Sequence, residues 1–423
     1  MKSQVLDAPS ASQLINQLIE EMYLGRSVLL ITPETQSLAD IRSAISLGVN
    51  RRNLWLEEIS LGELPLKYDG AIAQLSDFLR LDPVPQTLEA LLLHERCPEV
   101  ILLNDIEKLS TVDSQTWFRL LENWAQQSKR IRDTQVHPVA RRVCLCSPAT
   151  VLTGNLPKSD VALSVRWWWS IPSSLEMQLL CRLQAPEYTL ETIWREHLLP
   201  SLTGNDVELL EYLWDKVTQP LDVLVDSLQE FALAKGWKRH SERWTKLLKK
   251  QAPPKMNGFG YFSPPEAWRC FWDFGALIYT PEHGLEIHTA ALVLLGQRKE
   301  VEQKMWRGQA GLLLPLLDNV RLNLCDYLTR RYGKGWPLKW AKPKDDQELE
   351  RVKKNPLATQ WGHLLQAVIN SPYRDKLRKE RPLVITGRNI RNELAHFRPI
   401  SFLEFSAFWE NWLEFEDDNL GTS

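Results

Sequence analysis

A chain of 423 residues with 44% hydrophobic content is long enough to bury more than one core, and the usual domain size divides it into about two or three domains. Its formal net charge of -2 excludes a general attraction to nucleic acid, so any such attraction has to arise from a local excess of charge. The six cysteines (Cys97, Cys144, Cys146, Cys181, Cys270, Cys325) are scattered, with no paired CxxC units and no Cys/His cluster, so they read as structural thiols and neither a metal nor a cofactor is expected.

The opening MKSQVLDAPSASQLINQLIEEMY lacks a basic segment followed by an apolar one. No apolar run approaches the ~20 residues of a membrane span, so the sequence reads as cytoplasmic and without membrane attachment. Residues 1–170 alternate short apolar runs with helical patterns, which predicts an α/β domain with a parallel sheet. The runs are SVLLIT (27–32), NLWLEEI (53–59), EVILLND (99–105), RVCLCS (142–147) and ALSVRWWW (162–169). Between the third and fourth, Val112, Trp117, Leu120, Leu121 and Trp124 recur at helical spacing.

That order resembles the core of P-loop NTPases of the AAA or STAND kind, in which a first strand precedes the phosphate loop and a Walker B strand and a sensor strand follow. The motifs themselves are eroded. A phosphate loop needs glycines so that backbone N–H groups can cradle phosphates, and a lysine to reach the terminal ones. Here the first run enters Pro33-Glu34-Thr35-Gln36-Ser37, with no glycine or lysine and with a carboxylate where phosphate would sit. The Walker B run ends Asn104-Asp105, so an amide occupies the first acidic position, which would hold magnesium. Without the resemblance, the same run is a buried strand ending in a polar turn. The expectation is a degenerate NTPase-like module lacking a Walker A motif, with nucleotide sensing, or an active ATPase with an unusual loop, as alternatives.

Ser173-Ser174-Leu175-Glu176 has the form of a capping box, and helical patterns continue to about residue 250. Residues 171–250 therefore read as a lid-like helical domain on the NTPase resemblance, or simply as a helical domain. Pro and Gly concentrate in QAPPKMNGFGYFSPPEAW, the best linker in the chain. Alternation on either side of Pro281-Glu282-His283-Gly284 predicts a hairpin, so residues 251–298 read as linker plus either a small winged-helix-like unit or a connector.

From residue 299 the chain is strongly helical, with a long amphipathic stretch broken at most by a kink at Pro315, and residues 299–423 predict a bundle of about four helices. Residues 299–398 carry 21 Lys or Arg against 11 Asp or Glu, whereas the tail from 399 is acidic only. Such an excess suits a phosphate backbone; a solvated helix face is the alternative.

The segment Arg391-Asn392-Glu393-Leu394-Ala395-His396 stands on a helical pattern. At about 100° per residue from Arg391, Arg388, Asn392 and His396 fall near 60°, 100° and 140°, with Ala395 among them near 40°. Ile390, Leu394 and Phe397 fall near 260°, 300° and 240°, on the opposite face. The small Ala395 leaves room for a phosphate to approach. Arg-Asn-x-x-Ala-His resembles the catalytic motif of HEPN-domain ribonucleases, and the bundle resembles their fold. The resemblance covers about the last 125 residues.

What the resemblance implies is metal-independent RNA cleavage, probing the chemistry available to three residues. An imidazole such as that of His396, with an ordinary pKa near 6.5, moves the proton of the 2'-hydroxyl or of the 5'-oxygen leaving group. Arg391 stabilises charge on the scissile phosphate and Asn392 orients the histidine or the phosphate. DNA lacks that nucleophile. Such enzymes pair two motifs across a dimer, so the single copy implies a homodimer, and the pairing with an NTPase-like module resembles prokaryotic defence and toxin effectors held by a regulatory partner.

Arg388, Arg321 and His363 are candidate substrate-binding residues; for His363, beside Leu364 and Leu365, a structural role is the alternative. Spacing alone is poor evidence, because an Arg four to six residues before a His arises by chance about once in a chain of this length. Arg132 to His137 matches it without a helical context. The competing reading is a non-enzymatic adaptor whose bundle dimerises or binds nucleic acid, with Arg391 paired to an acid and His396 a satisfied surface residue. Trp167-Trp168-Trp169 offers stacking surfaces for bases, against core packing as the more common use of tryptophan.

Overall fold

The computed structural model describes residues 8–34, 37–64, 70–134, 140–152, 156–169, 171–185, 187–253, 264–280, 283–341 and 345–419. Compactness divides the chain into two units, Met1–Glu176 with His240–His288, and Met177–Arg239 with Thr289–Ser423. Both are discontinuous, so boundaries drawn in sequence order at 170, 250 and 298 do not separate them.

The first unit contains the predicted parallel sheet. All five apolar runs form strands: β1 (Ser27–Thr32), β2 (Leu56–Ser60), β3 (Val100–Asn104), β4 (Arg142–Pro148) and β5 (Leu163–Trp167). The strands lie in the order β2-β3-β4-β1-β5, every pairing parallel. β1, β3, β4 and β5 are buried along their whole length, as strands covered on both faces must be.

One face carries α1 (Pro9–Tyr23) and α2 (Leu38–Arg51): Arg166 of β5 reaches Glu21 at 2.9 Å, and Glu58 of β2 accepts a hydrogen bond from Ser46. α3 (Thr111–Thr134), which carries the predicted apolar positions, packs on β1, β4 and β5. The right-handed crossover rule puts it on the other face. The connections out of β1 and β4, adjacent strands, run in opposite directions along the sheet, which makes their carboxyl ends the switch point where open α/β sheets form a crevice.

The triple tryptophan is core. Trp167 and Trp169 pack on Trp272 with ring centroids 5.1 and 5.5 Å away, and Trp169 also meets Tyr279 at 5.9 Å. These contacts tie residues 240–288 to the sheet edge at β5 and account for their membership of this unit. The predicted hairpin is present as β6 (Leu277–Thr280) and antiparallel β7 (Gly284–Ile287), both within the α/β unit. Most of the predicted linker lies outside the described residues.

The second unit is helical. At the end of the first unit's opening segment the predicted capping box opens α4 (Ser174–Gln184), with Ser173 N and Oγ donating to Glu176 Oε2 at 2.6 and 2.8 Å, and the helix continues into the second unit from Met177. α5 (Leu190–Thr203), α6 (Leu221–Ala234) and α7 (Thr289–Leu294) precede α8 (Arg298–Tyr332), a single 35-residue helix that continues through Pro315. Then come α9 (Asp346–Lys354), α10 (Trp361–Asn370), α11 (Glu380–Ala395) and α12 (Phe402–Asn419).

α5, expected in a separate lid, packs along α8, and a Cβ on Gly308 of α8 would lie 2.7 Å from the carbonyl oxygen of His197. Trp194 of α5 is fully buried, stacks on Phe405 of α12 with centroids 5.3 Å apart, and donates through Nε1 to the carbonyl of Val217 at 3.2 Å. Residues 177–239 and 289–423 thus share one core. Among the described residues no helix is long and apolar enough to cross a membrane, and all six cysteines are unpaired.

Candidate functional site

The motif lies on α11, whose apolar positions Leu383, Val384, Ile390 and Leu394 are buried at helical spacing. Gly387 occupies the same face because a Cβ there would lie 2.5 Å from the ring of Trp361, so its absence lets α10 come close. α11 packs on both α10 and α12. The helix ends as a Schellman motif: Phe397 N donates to the carbonyl of Leu394 at 3.2 Å and Arg398 N to that of Glu393 at 2.9 Å.

Phe397 is the residue that departs from expectation. The helical wheel places it with Ile390 and Leu394, which are indeed buried, yet Phe397 is 65% exposed. The reason is backbone: the helix stops at Ala395, His396 is its cap, and Phe397 turns into the left-handed region at φ 58°. Its ring leans on Trp306 of α8 with centroids 4.8 Å apart, and Trp306 Nε1 donates to the carbonyl of Leu394 at 2.8 Å.

Arg391, Ala395 and His396 are exposed, while Arg388 and Asn392 are half-buried. Arg391 Nη1 lies 3.5 Å from Asn392 Oδ1, a contact at the outer limit of a hydrogen bond. Among the described residues no carboxylate pairs with Arg391 or His396; Glu393, the nearest acid in sequence, sits 3.6 Å from Arg398 instead. A guanidinium, an amide and an imidazole thus share one helix end, open to solvent and uncommitted to the core. Such a set can hold a phosphodiester and move a proton beside it.

The other two substrate-binding candidates have structural partners. Arg321 is 7% exposed; it donates through Nε and Nη2 to Asp318 at 3.0 and 2.8 Å, and through Nη1 to the carbonyls of Leu357 and, at 2.9 Å, Thr359. This corrects its reading as a phosphate contact: a guanidinium satisfying two carbonyls inside the bundle has no free fork for a ligand. His363 Nδ1 stands 2.8 Å from a carboxylate oxygen of Glu348 of α9, a contact consistent with the structural alternative for this residue. Of the Arg132 to His137 match, Arg132 to Thr134 form the end of α3, so its arginine does have a helical context, contrary to expectation, and Arg132 Nη1 donates to the carbonyl of Leu24 at 2.9 Å; residues 135–137 lie outside the described residues.

At the switch point of the sheet, the two described residues that follow β1, Pro33 and Glu34, are also engaged. Pro33 has no N–H, and Glu34 N donates to the carbonyl of Asp273 at 3.0 Å, so the first two positions after β1 offer no free amide to a phosphate. Asp105 at the end of β3 is held by Ser60 Oγ (2.7 Å), Arg42 (3.0 Å) and Lys108 (3.1 Å). Burial alone would raise its carboxyl, but those donors bring it down to about 2. It is engaged as a structural anion. Beside it, Asn104 Oδ1 and Thr32 Oγ1 are buried without hydrogen-bond partners.

Asp273 contrasts with Asp105: burial, with some help from Glu34 and against Arg269 and Arg243, pushes its carboxyl up to about 7. Between about pH 4 and 7 the folded chain keeps a proton there that the unfolded chain releases, so stability falls as pH rises through that window. Asp273→Asn removes this slope. It is expected to melt roughly 10 °C above wild type at pH 8 and level with it near pH 4, by differential scanning fluorimetry. A pH-independent difference would contradict the assignment.

Among the described residues no group of three or more His, Cys, Asp or Glu is placed to hold a metal ion. No protein-family model matches this chain, and no curated protein or solved structure matches it.

Proposed function

We propose that the chain is an endoribonuclease of the HEPN type, acting without metal through Arg391, Asn392 and His396. One observation carries the reading: the Arg-Asn-x-x-Ala-His residues share the solvent-facing end of α11 and none of the three is spent on the core or on an ion pair among the described residues. The local excess of basic residues over 299–398 supports an anionic substrate.

In this reading the 2'-hydroxyl of the substrate attacks the adjacent phosphorus and the bond to the 5'-oxygen breaks, leaving a 2',3'-cyclic phosphate and a 5'-hydroxyl. His396 takes the 2'-hydroxyl proton or supplies the one that the 5'-oxygen needs. A second copy of the motif in a homodimer performs the other transfer, which is why the assembly is part of the proposal. Arg391 balances charge on the phosphorane oxygens, and Asn392 orients its neighbour by hydrogen bonding. Arg388, half-buried one turn earlier, extends the cationic side of the same helix.

The α/β unit then serves as an NTPase-like scaffold with its nucleotide functions lost. The committed amide of Glu34 and the clamped Asp105 support that part of the reading, and titration with ATP is expected to give no binding signal. The test of the enzyme compares wild type and His396→Ala on labelled RNA in EDTA. Cleavage by wild type to cyclic-phosphate ends, lost in the variant, supports the proposal. Equal behaviour of the two proteins in this assay and in a cell-toxicity test sinks it and leaves the non-enzymatic adaptor.

A further inference from the structure

Phe397 is an expensive residue for its position. The second position beyond a helix in a Schellman motif takes the left-handed conformation, where glycine is unstrained and a residue with a Cβ costs about 1 kcal/mol. Asn, Asp and Gly are the usual occupants, and a bulky aromatic there is an outlier. Burial gives little compensation, because the residue is 65% exposed and its one described ring contact is with Trp306. An observed strain of this kind, next to a motif of chemical side chains, points to function rather than to folding.

The surroundings say what kind. Phe397 follows His396 directly, and its ring is braced by Trp306, whose own position is fixed by the hydrogen bond to the carbonyl of Leu394 on the motif helix. The platform and the motif are therefore built on the same turn. Arg391 and Arg398 are exposed on either side of it in sequence. An exposed aromatic residue at the helix end that also carries the exposed Arg391 can take an unpaired nucleobase by its flat face while the backbone phosphate meets that guanidinium. A base inside a duplex presents only its edges and cannot stack there.

We infer that Phe397, braced by Trp306, is a stacking platform for an unpaired base next to the scissile phosphate, so that the substrate is single-stranded RNA. The inference rests on the proposed ribonuclease reading and adds a specificity-determining residue to it. The triple tryptophan, which the sequence offers for the same role, is buried and cannot supply it.

The full chain carrying His396→Ala, which prevents turnover, is titrated with a short single-stranded RNA bearing 2-aminopurine at each position in turn, and with the same sequence as a duplex. Binding is expected to quench the fluorophore at one position and to favour the single strand. Adding Phe397→Gly, which the left-handed backbone accommodates, is expected to weaken single-strand binding about 5- to 150-fold and to abolish the quench. Phe397→Trp keeps both. Its melting temperature shows that the Phe397→Gly chain is folded.

Unchanged affinity and quench in Phe397→Gly, or equal binding of single strand and duplex, overturns the platform. If wild type still cleaves RNA in that case, the ribonuclease reading stands and only the platform falls. If wild type binds no RNA, both fall together.

Discussion

Arg391→Ala is expected to slow RNA cleavage about 100- to 1,000-fold, the usual cost of removing one group that stabilises charge in the transition state. Its melting temperature should stay that of wild type. The guanidinium is exposed and its sole described contact is a 3.5 Å approach to Asn392, so the fold loses little with it. Arg391→Lys keeps the charge but not the planar fork, and is expected to recover part of the rate. The comparison separates catalysis from structure because a residue that merely tied the surface together would change the melting curve and leave the rate of the remaining folded protein alone. Single-turnover cleavage, with calorimetry on the same samples, makes the measurement.

Trp194→Ala is expected to cost about 3 to 5 kcal/mol, the range for emptying a buried large aromatic site. The ring is fully buried, stacks on Phe405 across a sequence separation of more than two hundred residues, and satisfies the carbonyl of Val217. Its loss leaves a cavity and an unpaired carbonyl together. The same contact bears on truncation: a fragment beginning at residue 299 lacks α5, against which α8 is packed so closely that Gly308 has no room for a side chain. Such a fragment is expected to expose that face and to fail to fold, as read by circular dichroism and proteolysis. A stable, monomeric fragment of residues 299–423 would falsify the shared core.

These two expectations mark where the sequence was legible. Local signals were read well: the five apolar runs became strands of the sheet, the Ser173 to Glu176 box caps its helix, and the alternation before and after Pro281-Glu282 forms the antiparallel pair β6 and β7. A second box of the same form, Ser401 to Glu404, opens α12 with Ser401 N donating to Glu404 at 2.7 Å, and its spacing was there to be found. Less accessible were side chains whose partners lie far away in sequence. Arg321 reads as a free cation on a helix until the carbonyls of Leu357 and Thr359 come to meet it, and nothing in the sequence shows that Arg42 pairs with Asp105.

Sequence by itself determined the periodicities, and with them the strands, the helices and the polar face that groups Arg388, Arg391, Asn392, Ala395 and His396, the last of which caps the helix. Those depend on neighbours one turn or two residues away, which hydrophobic spacing encodes directly. Tertiary structure decided three things that spacing cannot carry: that residues 240–288 join the sheet through Trp272, that α5 completes the core of the C-terminal helices, and that the motif helix stops one residue before His396 and turns Phe397 outward. The first two are choices among many apolar faces that could pair, settled by shape in three dimensions. The last is a backbone conformation that phenylalanine does not favour, held by the carbonyls of Glu393 and Leu394 and by a tryptophan from another helix.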